Sequence, residues 1–312
     1  MLDEVDQMLA VLDGGFPPVH EMTGAEARAA VAARRQPVAN IDDVRAAEDL
    51  VLDGVPVRRY LPHGTQEQPR PVVVFAHGGG FVFCDIETHD GFCRMLAKHT
   101  GAVVVSVDYR LAPEHRAPAA ADDMSTVVEH VVAHAEAWGV DPAAVLVAGD
   151  SAGGNLAAVA ALRARAAGID LAGQVLLYPV IEPDFETESY RRFGTGHFNT
   201  RAAMEWYWEQ YLGGAALPEP AWQVAPLRAD DHGDLAPAVV VTAGRDPLSS
   251  EGERYAATLR SAGVPVRHRH YPDLFHGFAT IGPFAPAASA RSLLWRDIAA
   301  LLATAPTPRS TS

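Results

Sequence analysis

Lysine is almost missing from this chain of 312 residues: Lys98 is the only one, so arginine carries nearly all the positive charge. With 25 lysines and arginines against 39 aspartates and glutamates, the formal net charge is −14. A protein that grips nucleic acid needs a basic face to neutralise phosphates, and this composition does not supply one. Cysteine is equally scarce, with only Cys84 and Cys93. Those two make neither a disulfide framework nor a CxxC metal pair, and both are expected as reduced thiols. Long apolar runs are absent too: none approaches the roughly 18 residues that span a bilayer. The first ten residues, MLDEVDQMLA, are acidic where a secretory leader is positively charged. The chain is therefore expected to be cytoplasmic, with no membrane insertion and no nucleic-acid partner. No internal repeat is visible. What is present, 48% apolar and 21% charged residues, is the balance of a globular protein long enough to bury a full core without staples.

Residues 1–45 read as helical. Val5, Met8, Leu9 and Leu12 fall on one helical face, and Thr23-x-x-Glu26 matches a capping box ahead of an alanine-rich stretch. Residues 51–62 alternate like strand, and 63–71 form a polar loop. From Pro71 the pattern changes. Apolar runs at 72–77, 103–109, 145–149, 174–179, 239–244 and 266–271 alternate with helix candidates at 89–100, 118–138, 153–167 and 250–262. Ser250-x-x-Glu253 is expected to cap the last of these and Gly263 to close it. Continuous apolar strands separated by helices predict an α/β protein with a mostly parallel sheet covered on both faces. Residues 183–222 break the alternation. They hold a helix with aromatics on more than one face and three of the five tryptophans, Trp206, Trp208 and Trp222. The expected organisation is N-terminal cap helices at 1–45, a core at 46–182, a cap insertion at 183–222 and the rest of the core at 223–312. The tail 306–312 is expected to be disordered.

The strongest chemical signal is Gly149-Asp150-Ser151-Ala152-Gly153, a G-x-S-x-G placed between an apolar strand and an alanine-rich helix. Such a turn exposes a serine at the N-terminus of a helix, whose N–H groups favour developing negative charge. His77-Gly78-Gly79-Gly80-Phe81 ends an earlier strand. Its glycines leave backbone N–H groups free to hold an oxyanion, and the Ala152 N–H adds another donor. A serine needs a base. His276 stands on the loop after the last strand, whereas His268 and His270 lie on that strand and His77 precedes the elbow, so these three read as structural. Asp246 also follows a strand and is the expected acid, with Asp150 and Asp273 as weaker competitors. The chain order Ser151, Asp246, His276 is that of the α/β-hydrolases.

Beyond these residues the chain resembles the hormone-sensitive-lipase-like family of carboxylesterases, in the branch with a GDSAGG elbow. The likeness rests on HGGGF at 77–81, DYRLAPEHRAPAA at 108–120, GDSAGGNLA at 149–157, GRDPL at 244–248 and FHGF at 275–278. The resemblance implies an α/β-hydrolase core with a helical cap. It implies hydrolysis of short- to medium-chain esters through an acyl-serine, with Gly79, Gly80 and Ala152 as oxyanion donors. Which glycines of the HGGG run face the oxyanion stays open. Glu114 is expected as a structural partner behind that loop. No cofactor and no metal are expected, the partner is a small-molecule ester, and a homodimer is compatible with the chain. The same triad also serves small-amide hydrolysis and acyl transfer to an alcohol, and both stay open. A non-catalytic ligand receptor on this scaffold is the remote alternative, against which the intact His276 speaks.

Overall fold

A computed structural model of the protein describes residues 3–64 and 69–303. The expected tail at 306–312 and the middle of the 63–71 loop lie outside the described residues. Eight strands form one sheet: β1 (Ala46–Leu52), β2 (Val55–Leu61), β3 (Arg70–Ala76), β4 (Val103–Val107), β5 (Val140–Asp150), β6 (Gly173–Leu177), β7 (Ala238–Arg245) and β8 (Val266–Phe275). Their order is β1-β2-β4-β3-β5-β6-β7-β8. β1 pairs antiparallel with β2, and β2 with β4; all other pairs are parallel. The stretch read as one alternating run is thus half of a hairpin. Asp53 and Gly54 take φ of 47° and 89° at its turn, the left-handed pair that a tight hairpin requires.

The helices are α1 (Glu4–Gly15), α2 (Gly24–Ala32), α3 (Ile86–Thr100), α4 (Ala119–Ala133), α5 (Ala135–Trp138), α6 (Ala152–Ala166), α7 (Glu188–Phe193), α8 (Arg201–Leu212), α9 (Ser249–Ser261) and α10 (Ala288–Ala303). The helix expected over 118–138 is broken at His134, which ends α4 and precedes α5. The expected cap at Ser250 is also corrected. Ser250 lies inside α9, which begins at Ser249 without a side-chain cap, and the Asp246 carboxylate instead accepts the Leu248 N–H at 2.9 Å. The Thr23–Glu26 capping box does form at the start of α2.

Alternation along the strands divides the core in two. Val72, Val74 and Ala76 of β3 join Val145 and Val147 of β5 in one cluster with residues of α4, α6 and α9. Val73 and Phe75 join Leu146 and Ala148 in the other, with residues of α3 and α10. Helices therefore cover both faces of the inner strands β3 to β7, which have no polar side to expose, while the edge strand β8 is largely polar and part-exposed. The two segments that break the pattern divide the same way. Val5 and Leu9 of α1 pack into the second cluster, while Ala27 of α2 and Trp206, Tyr207, Trp208 and Tyr211 of α8 pack into the first. α8 is aromatic on several sides because several sides are buried. Among the described residues no helix is long and apolar enough to cross a membrane.

Candidate active site

β3 and β5 are neighbours at the point where strand order reverses, and Ala76 is in register with Gly149. Ligand crevices of open α/β sheets form outside the carboxyl ends of the strands at such a point. The HGGG run leaves β3 there, and Ser151 leaves β5. Ser151 is the single residue between β5 and α6, with φ 55° and ψ −118°. A non-glycine residue in such a conformation costs about 1–3 kcal/mol and persists only where its surroundings enforce it. Here the Ser151 N–H donates to the Leu177 carbonyl at 2.9 Å, and the Ser151 carbonyl accepts from the Val180 N–H at 3.0 Å. The flanking glycines are required by contact: a Cβ on Gly153 would sit 1.9 Å from the Ala76 carbonyl oxygen.

His276 is the first residue beyond β8, and Asp246 the first beyond β7. The three side chains meet. His276 Nε2 lies 3.0 Å from Ser151 Oγ, and His276 Nδ1 lies 2.8 Å from Asp246 Oδ2. Asp246 is fully buried and His276 nearly so. A carboxylate only accepts, so Nδ1 carries the proton and Nε2 is left as acceptor for the serine hydroxyl. The Tyr178 ring meets the imidazole edge-on at 5.0 Å. Asp273, the local competitor, is exposed on β8.

Asp150, the other competitor, is buried and turned to a different task. Its Oδ1 accepts the Gly78 N–H at 2.8 Å and lies 3.2 Å from His89 Nε2, and its Oδ2 accepts from Thr280 Oγ1 at 3.3 Å. One carboxylate thus links the HGGG loop, α3 and the loop that carries His276. Burial pushes its pKa up, but the neighbouring histidines His89, His77 and His276 together outweigh this and hold it below the usual carboxylate value. Sequence reasoning excluded Asp150 as the triad acid without finding this role. No spacing signals it, because its partners come from three distant segments.

The use of Gly78 by Asp150 bears on the HGGG run. The Gly78 N–H is occupied, whereas Gly79 and Gly80 donate to no turn or loop carbonyl among the described residues. Gly79 has φ 113°, and a Cβ there would meet the Phe83 carbonyl oxygen at 2.2 Å. Ala152 begins α6, where an N–H has no intrahelical acceptor. His77 is buried beneath the loop, with Nδ1 2.7 Å from the Gly78 carbonyl and its ring stacked on Tyr109 at 4.3 Å. Burial pushes its pKa down to about 4, so it stays neutral. His268 and His270 both lie within hydrogen-bond distance of Thr242 Oγ1, away from Ser151. Glu114 pairs with Arg28 of α2, and Arg28 also donates to the Val82 and Ala112 carbonyls, fastening α2 to the segment behind the loop.

These groups open on a cavity of about 150 Å³. Its floor is Gly78, Gly79, Gly80, Ser151 and His276; Phe16, Val31, Phe198, Asn199 and Tyr207 roof it. The roof residues went unnoticed in the sequence, where they are scattered among helices and turns. Phe16 and Phe198 meet edge-on at 5.1 Å, and the Phe198 N–H donates to Asp13 at 2.7 Å, so the two pattern-breaking segments are joined above the serine. Cys84 also lines the cavity, its thiol pushed up to about 12 by burial. A larger, more open groove of about 470 Å³ lies along β1 and β2 around Arg58 and Asp108, but none of the triad residues lines it. Among the described residues no three His, Cys, Asp or Glu side chains converge as metal ligands.

Comparison with known proteins places this arrangement. A family model for the alpha/beta hydrolase fold matches residues 73–280. The chain is 41% identical over 247 residues to esterase LipI of Mycobacterium tuberculosis, covering 77% of each chain. It is 35% identical over 283 residues to an ethyl acetate hydrolase of Pseudomonas putida, covering 86% of this chain and 87% of that one. The crystal structure of a thermostable esterase from Pseudomonas putida ECU1011 superposes with a TM-score of 0.86 at 33% identity, over 98% of both chains.

Proposed function

Because this chain belongs to the hormone-sensitive-lipase-like family of α/β-hydrolase carboxylesterases, we propose that its esterase chemistry runs through Ser151, His276 and Asp246. The protein is a carboxylic ester hydrolase. The observation that carries the assignment of residues is the relay from Ser151 Oγ to His276 Nε2 at 3.0 Å and from His276 Nδ1 to Asp246 at 2.8 Å. In this reading Ser151 attacks the ester carbonyl while Nε2 takes its proton. The oxyanion that forms is held by the N–H groups of Gly79, Gly80 and Ala152, donors with no other acceptor among the described residues. Asp246 keeps the imidazole in the right tautomer and stabilises its charged form, which then protonates the departing alcohol. Water repeats the sequence on the acyl-serine and releases the acid.

The substrates are short- to medium-chain carboxylic esters. The cavity beside Ser151 is small, about 150 Å³, which favours short chains. Residues 1–45 and 183–222 form the cap that closes this space and excludes water. The test is a panel of 4-nitrophenyl esters from acetate to dodecanoate, with Ser151→Ala as control and an organophosphonate adduct mapped by mass spectrometry. The expected result is a rate that peaks among short chains and an adduct on Ser151. An adduct on another residue overturns the assignment.

A further inference from the structure

Resting on that reading of the cavity as the ester site, we infer that Asn199 is a specificity residue. The ester taken here carries a neutral hydroxyl, on its acyl or its alcohol portion, that hydrogen-bonds the Asn199 amide. Asn199 sits in the roof beside Phe198 and is 6% exposed. Its amide has no hydrogen-bond partner among the described residues: Nδ2 is shut off from the cavity, and Oδ1 is the atom left accessible. Other buried polar atoms share that condition, on Trp208, Tyr211 and Tyr255 for example, but those residues do not line the cavity. Buried polar groups in folded proteins are nearly always paired, so each exception asks for a reason.

Local structure does not provide one. The residue that caps α8 is Thr200, whose Oγ1 accepts the Ala203 N–H at 3.1 Å, so Asn199 is not needed there. An apolar side chain of similar size would fill the same place without leaving an amide unpaired. The backbone before it is fastened: Phe198 takes φ 69°, and its N–H is bound by Asp13. The amide is therefore presented on a fixed support, which is what selective binding requires.

The ligand's chemistry follows from the surroundings. A half turn of the amide exchanges its donor and its acceptor, and a hydroxyl satisfies either one. No lysine or arginine lines the cavity, while the Asp150 carboxylate does, so a substrate carboxylate would meet no counter-charge. A hydroxyl is neutral and small enough for the space.

The test compares matched esters that differ by a hydroxyl against a methyl. Ethyl 3-hydroxybutanoate against ethyl 3-methylbutanoate probes the acyl side. 2-Hydroxyethyl butanoate against propyl butanoate probes the alcohol side. The quantity read is the hydroxy-to-methyl ratio of kcat/KM in the wild type divided by the same ratio in Asn199→Leu, and again in Asn199→Ala, which cancels the esters' intrinsic reactivities. Titration of folded active sites with an organophosphonate normalises each protein, and the second variant serves if the first does not fold. The expected result is that the ratio falls roughly three- to tenfold in a variant, in one of the two pairs, the worth of one hydrogen bond. A smaller fall in both pairs overturns the proposal. Failure of the underlying esterase reading looks different: the wild type would then hydrolyse none of the four esters faster than Ser151→Ala does.

Discussion

The floor and the roof of the cavity are built on different principles. The floor is backbone and hydrogen bonds: a strained Ser151, glycines packed against carbonyl oxygens, and a carboxylate that ties three loops together. Ser151, His276 and the Gly78 N–H each have a partner within bonding distance, and small displacements would break the relay. The roof is mostly aromatic side chains from two segments far apart in sequence, joined by one edge-on ring contact and the exposed Asp13, while the partly exposed Asp6 ties α1 to Arg245 of β7. Its contacts are non-directional and tolerate exchange of one apolar group for another. On the proposed function this is a division of labour, in which the floor would determine which bond breaks and the roof which molecule is held.

Substitutions in the floor should therefore be catastrophic for rate and mild for selectivity. Ser151→Ala is expected to lower kcat by roughly 10⁶-fold with the protein still folded, measured with 4-nitrophenyl butanoate and circular dichroism. Asp246→Asn should cost on the order of 10⁴ in kcat, whereas Asp273→Asn, on the exposed part of β8, should cost less than twofold. Reversal of those two effects would remove Asp246 from the floor.

A third test sharpens the comparison through stability. His77 is held neutral, with its pKa lowered from 6.5 to about 4 by burial, and it faces His89 and Asp150. As pH falls through 6.5 the unfolded chain takes up a proton that the folded chain refuses. Stability from His77 is thus complete above pH 6.5 and is lost progressively as pH falls toward 4, on the order of 3 kcal/mol in all. Urea melts at pH 7 and pH 4.5 should show that loss, and His77→Phe should flatten it. An unchanged slope would mean that other groups carry the acid sensitivity.

The smallest effect is expected in the roof. Asp6 of α1 pairs with Arg245 at 2.5 Å, and Asp13 of the same helix holds Phe198. Asp6→Ala combined with Asp13→Ala should cost about 1 kcal/mol or less, as partly exposed pairs do. It should raise KM for octanoate a few-fold and leave kcat for acetate unchanged. Loss of acetate turnover would break the comparison, because the roof would then take part in the chemistry.

Legibility followed the same line. The elbow, the HGGG run and the loops bearing Asp246 and His276 were readable because each is a short stretch whose neighbours along the chain are also its neighbours in space. The hairpin at Asp53-Gly54 was readable in principle from its turn residues but was merged into one strand. S-x-x-E has the right spacing for a cap at Ser250, yet the helix begins one residue earlier and the nearby N–H goes to Asp246. The buried aromatics of α8 showed as an interruption of the pattern, without saying against what they pack.

Residue patterns along the chain were enough for the class of protein, and they named the candidate reacting groups. Alternating apolar runs dictate a covered parallel sheet, and a serine between a strand and a helix, flanked by glycines, has few other physical uses. It took the folded chain to show that the Gly78 N–H goes to Asp150, that Gly79 and Gly80 have no acceptor among the described residues, and that Phe16 and Asn199 line the cavity beside Ser151. Those outcomes depend on which distant segments meet. A side chain's partner across the chain is selected by packing and by the need to satisfy every buried polar group, and neither condition is written in local spacing.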